Sequence, residues 1–502
     1  MPTKLQPWLA ASAVSLSAST AMAGTPPYFQ PLTESAPVVE ANSVEEMNAP
    51  WITPAGVAQD NLTSLNEVEG DHAQSVVRVP GLGSGASMFD MVSFDPSGRY
   101  LFVPHETQYG AGMSRYDLRK DEMVTLFAGD MGGAEDNWTN DYAAFDPSTY
   151  TPNGTVLLGE EWAGEGRIIE ILNPHDAPNK IRHRELTSIA NVAHEGLRFS
   201  LDGKTLYFVD EWNSGSIYKF VCKKTGDYMH GQTFVLSVDA FSGVPADLWN
   251  DESNAGTTRT GAATWIPITD EHGKALTVVD PFRNGPTNDP RESADTRGGR
   301  PAADEVGATP YGRPEDMEVG ALSSGNEVLY FTATSEQSIY SVEMLDATHA
   351  MVRLAASEAD TPKNVGFAAT SAVINSPDNL AQDALGNIYV IEDAPNGSTE
   401  GGDIWFLRDV DSDGVAESMD HFLSIRVAGS EATGMIFNPK KPTQFVVSVQ
   451  HPTTTDLELD PTGFGDALWL FDVQQAKAPQ CGRGEGRNEI VQRLQGRSHK
   501  RR

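Results

Sequence analysis

Residues 92–106 read VSFDPSGRYLFVPHE. An apolar run meets the turn Asp95-Pro96-Ser97-Gly98, and a second apolar run follows and stops at His105-Glu106. Apolar, β-branched and aromatic residues on either side of such turn chemistry predict a β-hairpin. The plan returns as AAFDPSTYTPNGTVLLGEEW at 143–162, LRFSLDGKTLYFVDEW at 197–212 and MEVGALSSGNEVLYFTATSE at 317–336. It returns again as LAQDALGNIYVIED at 380–393 and MIFNPKKPTQFVVSVQ at 435–450. The polar strand ends recur roughly every 50–58 residues, except for a gap of about 125 between Glu211 and Glu336. A four-stranded propeller blade takes roughly 40–50 residues. The expectation is therefore an all-β, six-bladed β-propeller over 76–474, with an insertion at about 223–300 after the third repeat. Strand-like pieces at 232–238 and 263–267 suggest that the insertion caps or extends the propeller edge. Residues 24–75 lack periodicity and are expected to wrap its side.

In a hairpin, the start of the first strand lies beside the end of the second. The polar residues leading each repeat are Asp90, Asp141, His194 with Glu195, Arg313 with Glu315 and Asp316, Asp378 with Asn379, and Glu431 with Thr433. They should meet those that close it: His105 with Glu106, Glu160 with Glu161, Asp210 with Glu211, Glu336, Glu392 with Asp393, and Gln450. Radial symmetry then carries both sets to one channel mouth. Two carboxylates about 4 Å apart repel by roughly 4 kcal/mol at an effective dielectric of about 20. Such a ring needs protons, Arg313 or metal ions to hold together, and oxygen-only ligands suit hard cations, calcium first. A second acidic site is expected at Asp409, Asp411 and Asp413 before Gly414, with Glu417 at position nine and Asp420 at position twelve. That D-x-D-x-D-G spacing turns alternate carboxylates toward a calcium ion, here within a hairpin.

The bulk composition narrows the function classes. Seventy acidic against 36 basic residues give a formal charge of -34, which disfavours nucleic acid as a partner. No stretch of the mature chain approaches the roughly 20 apolar residues of a membrane span. Lys4, the apolar run 9–21 and Ala21-Met22-Ala23 read as a signal peptide over 1–23, placing the mature protein in the periplasm or outside the cell. Cys222 and Cys481 leave one bridge and two free thiols equally open. The basic tail at 475–502 reads as disordered. Nucleophile-elbow, Walker and H-E-x-x-H patterns do not occur.

Five motifs then resemble the PhoX-type alkaline phosphatases, in that family's order: LLGEEW (157–162), AHEGLRF (193–199), GRPEDMEV (312–319), SPDNLAQDALGNIYVIED (376–393) and EATGMIFNP…VQHP (431–452). The resemblance spans about 81–452. It implies an exported six-bladed propeller that hydrolyses small phosphate esters with calcium and iron at the mouth. It makes Glu160, Glu161, Glu195, Glu211, Glu315, Glu392 and Glu431 metal ligands, to which the repeat pattern adds Asp378. Arg313 would clamp the phosphate, and Arg313, Glu315, Glu161 and Glu195 would form the catalytic set. The family pattern also carries an Asn-Cys-x-Gly-Gly segment whose cysteine binds iron. The corresponding stretch here, TNDYAAFDPSTYTPNG at 139–154, has no cysteine, and Asp141 and Asp146 offer oxygen instead. Calcium is accordingly the expected metal and iron the lesser one. A calcium-dependent lactone or ester hydrolase and a non-catalytic calcium-binding propeller stand as the alternatives.

Overall fold

The structure, a computed structural model, describes residues 27–40, 43–70, 89–162, 165–242, 257–282, 298–393, 399–450, 452 and 463–477. Every one of the six repeats folds as an antiparallel pair. The first three are Ser93–Phe94 with Tyr100–Pro104, Phe145–Tyr150 with Val156–Glu160, and Leu197–Phe199 with Thr205–Val209. The others are Pro314–Ala321 with Glu327–Ala333, Pro377–Gln382 with Ile388–Glu392, and Glu431–Phe437 with Gln444–Gln450. Side chains build the turns. Asp95 accepts from the N–H groups of Arg99 and Tyr100, Asp383 from Leu385 and Asn387, and Asn438 from Lys440 and Lys441. Such local acceptors bend the chain where the apolar runs stop.

The pairs belong to five sheets in a propeller-like arrangement. Gly112–Asp117 and Glu122–Ala128 complete the first sheet, and Ile168–Ile171 and His183–Glu185 the second, with four strands each. The third and fourth repeats share one nine-stranded sheet. Within it, Gly261–Pro267 from the insertion lies antiparallel both to Gly231–Val238 and to His349–Ser357. The insertion thus joins two four-stranded units edge to edge. Inside this sheet Tyr207, Trp265, Tyr311, Phe331 and Tyr340 pack in one apolar cluster. Gly299–Glu305, a short helix from the end of the insertion, brings Arg300 into a buried bidentate pair with Asp210, at 2.7 Å on both arms.

The N-terminal segment is woven into the last two sheets. Trp51–Ile52 pairs with Ser418–Ile425, and Ala58–Ser64 pairs with Ala467–Asp472. Trp51 packs edge-on against Phe471, in a cluster with Phe406, Phe422 and Phe445. The first strands of the six repeats stand next to one another in sequence order around the channel. The ring closes where Gly434 meets the first repeat. A Cβ there would lie 2.7 Å from the Asp90 carbonyl oxygen, and the residue has φ +57°, so both space and backbone require glycine. Among the described residues no helix is long and apolar enough to cross a membrane.

Candidate metal centre at the channel mouth

Four of the six innermost strands carry a register shift near their mouth ends. The shifts fall between Phe145 and Ser148, Pro314 and Met317, Pro377 and Leu380, and Thr433 and Ile436. A bulge leaves residues outside the ladder and re-aims their side chains. Asp146, Glu315 with Asp316, and Asp378 with Asn379 sit inside three of these shifts. Two positions before Asp146, Glu315 and Asp378 the backbone turns left-handed, at Ala144 (φ +36°), Arg313 (φ +51°) and Ser376 (φ +49°). Non-glycine residues hold that conformation at a cost, and it concentrates where a site over-determines the backbone.

The result is a cavity of about 250 Å3 lined by Asp90, Glu106, Asp146, Glu161, Glu195, Glu211, Asp378, Asp393 and Glu431. Arg313, Asn379, Thr433 and Gln450 complete the lining. Glu195, Glu315 and Asp378 offer three oxygens within 4.8 Å of one another, and so do Asp378, Asp393 and Glu431. Asp378 belongs to both groups. Arg313 is the single cationic side chain of the lining. Its Nη2 lies 2.6 Å from Glu211, its Nε 3.0 Å from Glu315, and its Nη1 3.8 Å from Asp393. Thr433 and Gln450 donate to the two oxygens of Asp90, at 2.7 and 2.9 Å. Asn379 donates to Asp378 at 2.9 Å.

Burial, with neighbouring carboxylates adding to it, holds Glu106, Asp146, Glu161, Glu195, Asp378 and Glu431 well above the usual carboxylate range. Burial also pushes Glu315 up to about 8, although Arg313 beside it pulls the other way. The arginine is itself held more firmly protonated, chiefly by Glu315. The two partners respond differently because Glu315 is wholly desolvated and also faces Glu211, whereas Arg313 is 36% exposed.

Of the eight metal ligands expected from sequence, six gather here: Glu161, Glu195, Glu211, Glu315, Asp378 and Glu431. Glu160 and Glu392 do not. Glu160 points to the other side of its strand, where Arg167 grips it from Nη2 at 2.6 Å and from Nε at 2.7 Å. Glu392 turns inward to accept from Asn375 N, Asp403 N and Trp405 Nε1, and its neighbour Asp393 faces the mouth instead. Successive side chains on a strand face opposite ways, so only one of each acidic pair can reach the channel. Asp141 is spent on backbone, accepting from the N–H groups of Gly110, Gly133 and Tyr142. Asp90, Glu106, Asp146 and Asp393 join the site beyond the eight. The visible signal for the bulged acids is a small internal echo, Arg313-Pro-Glu-Asp and Ser376-Pro-Asp-Asn.

At the second acidic site, Asp409, Asp411 and Glu417 bring oxygens within 4.8 Å of one another. Asp413 accepts from Val415 N within its own turn. Asp420 is buried in the strand Ser418–Ile425 against Arg408, at 3.0 Å, because position twelve already belongs to the sheet.

Hard cations fit the mouth. Its donors are oxygen, and Asp146 Oδ1 and Glu315 Oε2 are buried without a hydrogen-bond partner. Thiolate-bound iron does not fit the described residues. Cys222 is packed in an apolar core with Leu157, Phe220 and Val235, where burial raises its thiol to about 11, and Cys481 lies outside the described residues. Residues 1–23, where a signal peptide is expected, and the basic end of the tail also lie outside them.

Fold and site together define an all-β, propeller-like protein with a carboxylate-lined mouth. Residues 105–453 match the family described as alkaline phosphatase PhoX, and the chain belongs to that family. Among curated proteins none matches the chain. Among solved structures the chain is similar to a gluconolactonase from Xanthomonas campestris, at 12% identity over 87% of this chain and 99% of that one, with a TM-score of 0.37. It is similar to virginiamycin B lyase from Staphylococcus aureus at 10% identity, over 83% and 99% of the two chains, with a TM-score of 0.38. A calcium-binding regucalcin from Agrobacterium tumefaciens is similar at 10% identity, over 78% and 92%, with a TM-score of 0.35.

Proposed function

We propose that the protein is an exported, calcium-dependent phosphoric ester hydrolase that works at the carboxylate mouth of a six-bladed propeller. The blade count takes the nine-stranded sheet as two blades joined by Gly261–Pro267. The reading is carried by Arg313, the one cationic group in a lining of nine carboxylates. Without cations such a mouth repels a phosphate dianion. With cations held by Glu195, Glu315, Asp378, Asp393 and Glu431, the carboxylates around Arg313 have a competing partner. Its planar fork is then free to take two phosphate oxygens. Bound divalent ions would polarise the phosphoryl group. Burial and Glu211 beside it favour a proton on Glu161, which a bound cation would displace as it takes the carboxylate for a ligand. Glu195 and Glu315, with Asp378, bring carboxylate oxygens within 4.8 Å of one another to hold a cation. The loop at Asp409, Asp411 and Glu417 supports a second calcium position remote from the chemistry. The substrate on this reading is a small phosphate ester and not nucleic acid, and export rests on residues 1–23.

The test is turnover of p-nitrophenyl phosphate in calcium by wild type and Arg313→Ala. Losing a charge-assisted pair worth roughly 1.5–3 kcal/mol should slow the variant about ten- to a hundredfold. A variant as fast as wild type would remove Arg313 as the clamp. Cleavage of a lactone with no phosphate ester turned over would replace the reading with the lactonase alternative.

A further inference from the structure

Two of the mouth carboxylates are presented in the same way. In Glu160-Glu161-Trp162 the first acid is buried and gripped by an arginine, the second lines the mouth, and a tryptophan follows. Asp210-Glu211-Trp212 repeats that order. In the second repeat the arginine is local, since Arg167 stands seven positions after Glu160. In the third repeat it is Arg300, which the insertion brings from 90 positions away. Its Nε and Nη2 each lie 2.7 Å from an Asp210 oxygen, and its guanidinium lies over the Trp212 ring, 4.9 Å from the centroid. One side chain thus holds the residues on both sides of Glu211. Asp210 Oδ1 also accepts from Ala193 N, and Glu211 N donates to the Ala193 carbonyl at 3.0 Å. The helix that carries Arg300 is tied down in turn, Gly299 N donating to the Asn191 carbonyl at 2.7 Å.

Glu211 is the carboxylate nearest Arg313, at 2.6 Å from its Nη2. We infer that Arg300 is a positioning residue: from behind the mouth it fixes Glu211, and with it the direction of the Arg313 fork. Arg300 is not among the described residues that line the cavity, so it acts through Glu211 and not on a ligand. A guanidinium that takes two phosphate oxygens must point the right way as well as carry charge, and a small misplacement is costly. The position calls for arginine. A lysine ammonium can neither meet both Asp210 oxygens as a fork nor lie flat over Trp212. The insertion, besides joining two four-stranded units, then supplies the mouth with a support that the second repeat finds within its own sheet. The inference rests on Arg313 being the phosphate clamp, as proposed above.

The experiment is a double-mutant cycle. It measures kcat/KM for p-nitrophenyl phosphate, in calcium, on wild type, Arg300→Lys, Arg313→Ala and the two substitutions together. Arg300→Lys keeps the charge and should lower kcat/KM about tenfold, because the clamp is misdirected. In the Arg313→Ala background the same substitution should cost less than about twofold, because no clamp remains to misdirect. A merely structural role would give the same loss in both backgrounds. Should Arg300→Lys fail to fold, Asp210→Asn with Arg300→Met takes its place in the cycle, since that pair strands no buried charge. Wild-type kcat/KM in the Arg300 variant, or an equal loss with and without Arg313, overturns the inference and leaves the phosphatase reading standing. No turnover by wild type, or undiminished turnover by Arg313→Ala, overturns both.

Discussion

At the scale of single residues, the mouth turns on which of two adjacent acids faces the channel. Glu160 and Glu161 are neighbours in sequence and opposites in the fold. The first is wholly buried against Arg167, and the second lines the cavity. Removing one partner of a buried ion pair leaves the other charge stranded, which costs about 3–5 kcal/mol. Glu160→Gln should therefore lower stability by that order in denaturant melts, whether or not calcium is present. Glu161→Gln should leave the calcium-free protein as stable as before and blunt its response to calcium. Equal effects of the two substitutions in calcium-free melts would contradict the assignment. The acidic pairs themselves were legible in the sequence, as LLGEEW and YVIED. Which member faces inward was not, because the phase of a strand is set by its bulges and no residue pattern announces where a register slips.

At the scale of elements, the hairpins were the legible part. An inner strand packs on both faces, so its sequence is apolar and its turn is marked by Asp, Asn, Pro and Gly. The outer strands were harder to see. Ala58–Ser64, AQDNLTS, closes the last sheet yet reads as polar, because an outermost strand keeps much of its surface in water. The union of the third and fourth repeats through Gly261–Pro267 depends on pairing with residues about 90 positions away, which local pattern does not encode. The bulges themselves carry strain that can be measured. Ser376 is left-handed at φ +49° in the turn that presents Asp378. That conformation costs an L-residue roughly 1–2 kcal/mol, and glycine gives back about 0.5–1 of the gain in lost chain entropy. Ser376→Gly should therefore stabilise the fold by about 0.5–1 kcal/mol in equilibrium unfolding. A destabilised variant would mean that the serine side chain, not the backbone, holds the turn.

At the scale of the whole molecule, a formal charge of -34 and a mouth of buried carboxylates make stability a function of pH and metal together. Glu315 is pushed up to about 8 by burial, and Glu161, Glu195 and Asp378 are raised with it for the same first reason. A carboxylate raised in the fold binds its proton more tightly there than in the unfolded chain. Its contribution is whole below the unfolded value of about 4.3 and is lost as pH climbs through the folded one. Other groups act in neighbouring windows. His105 and His194 are held down at about 3 by burial, so they raise stability with pH only up to their unfolded value of about 6.5. Lys219, lowered to about 8 by burial, begins to act only above that point. Between about pH 6.5 and pH 8 the carboxylates therefore act alone. In chelator, the melting temperature should fall across that interval. With calcium it should fall less or not at all, because the ion replaces the protons and binds more tightly as they leave. At about a hundred times its dissociation constant, a bound ion adds about 2.7 kcal/mol, enough to separate the two melting curves. The gap between them should widen from pH 6.5 to pH 8. A gap that stays constant, or a chelated protein that gains stability over this range, would mean that the mouth carboxylates are ionised and compensated without metal.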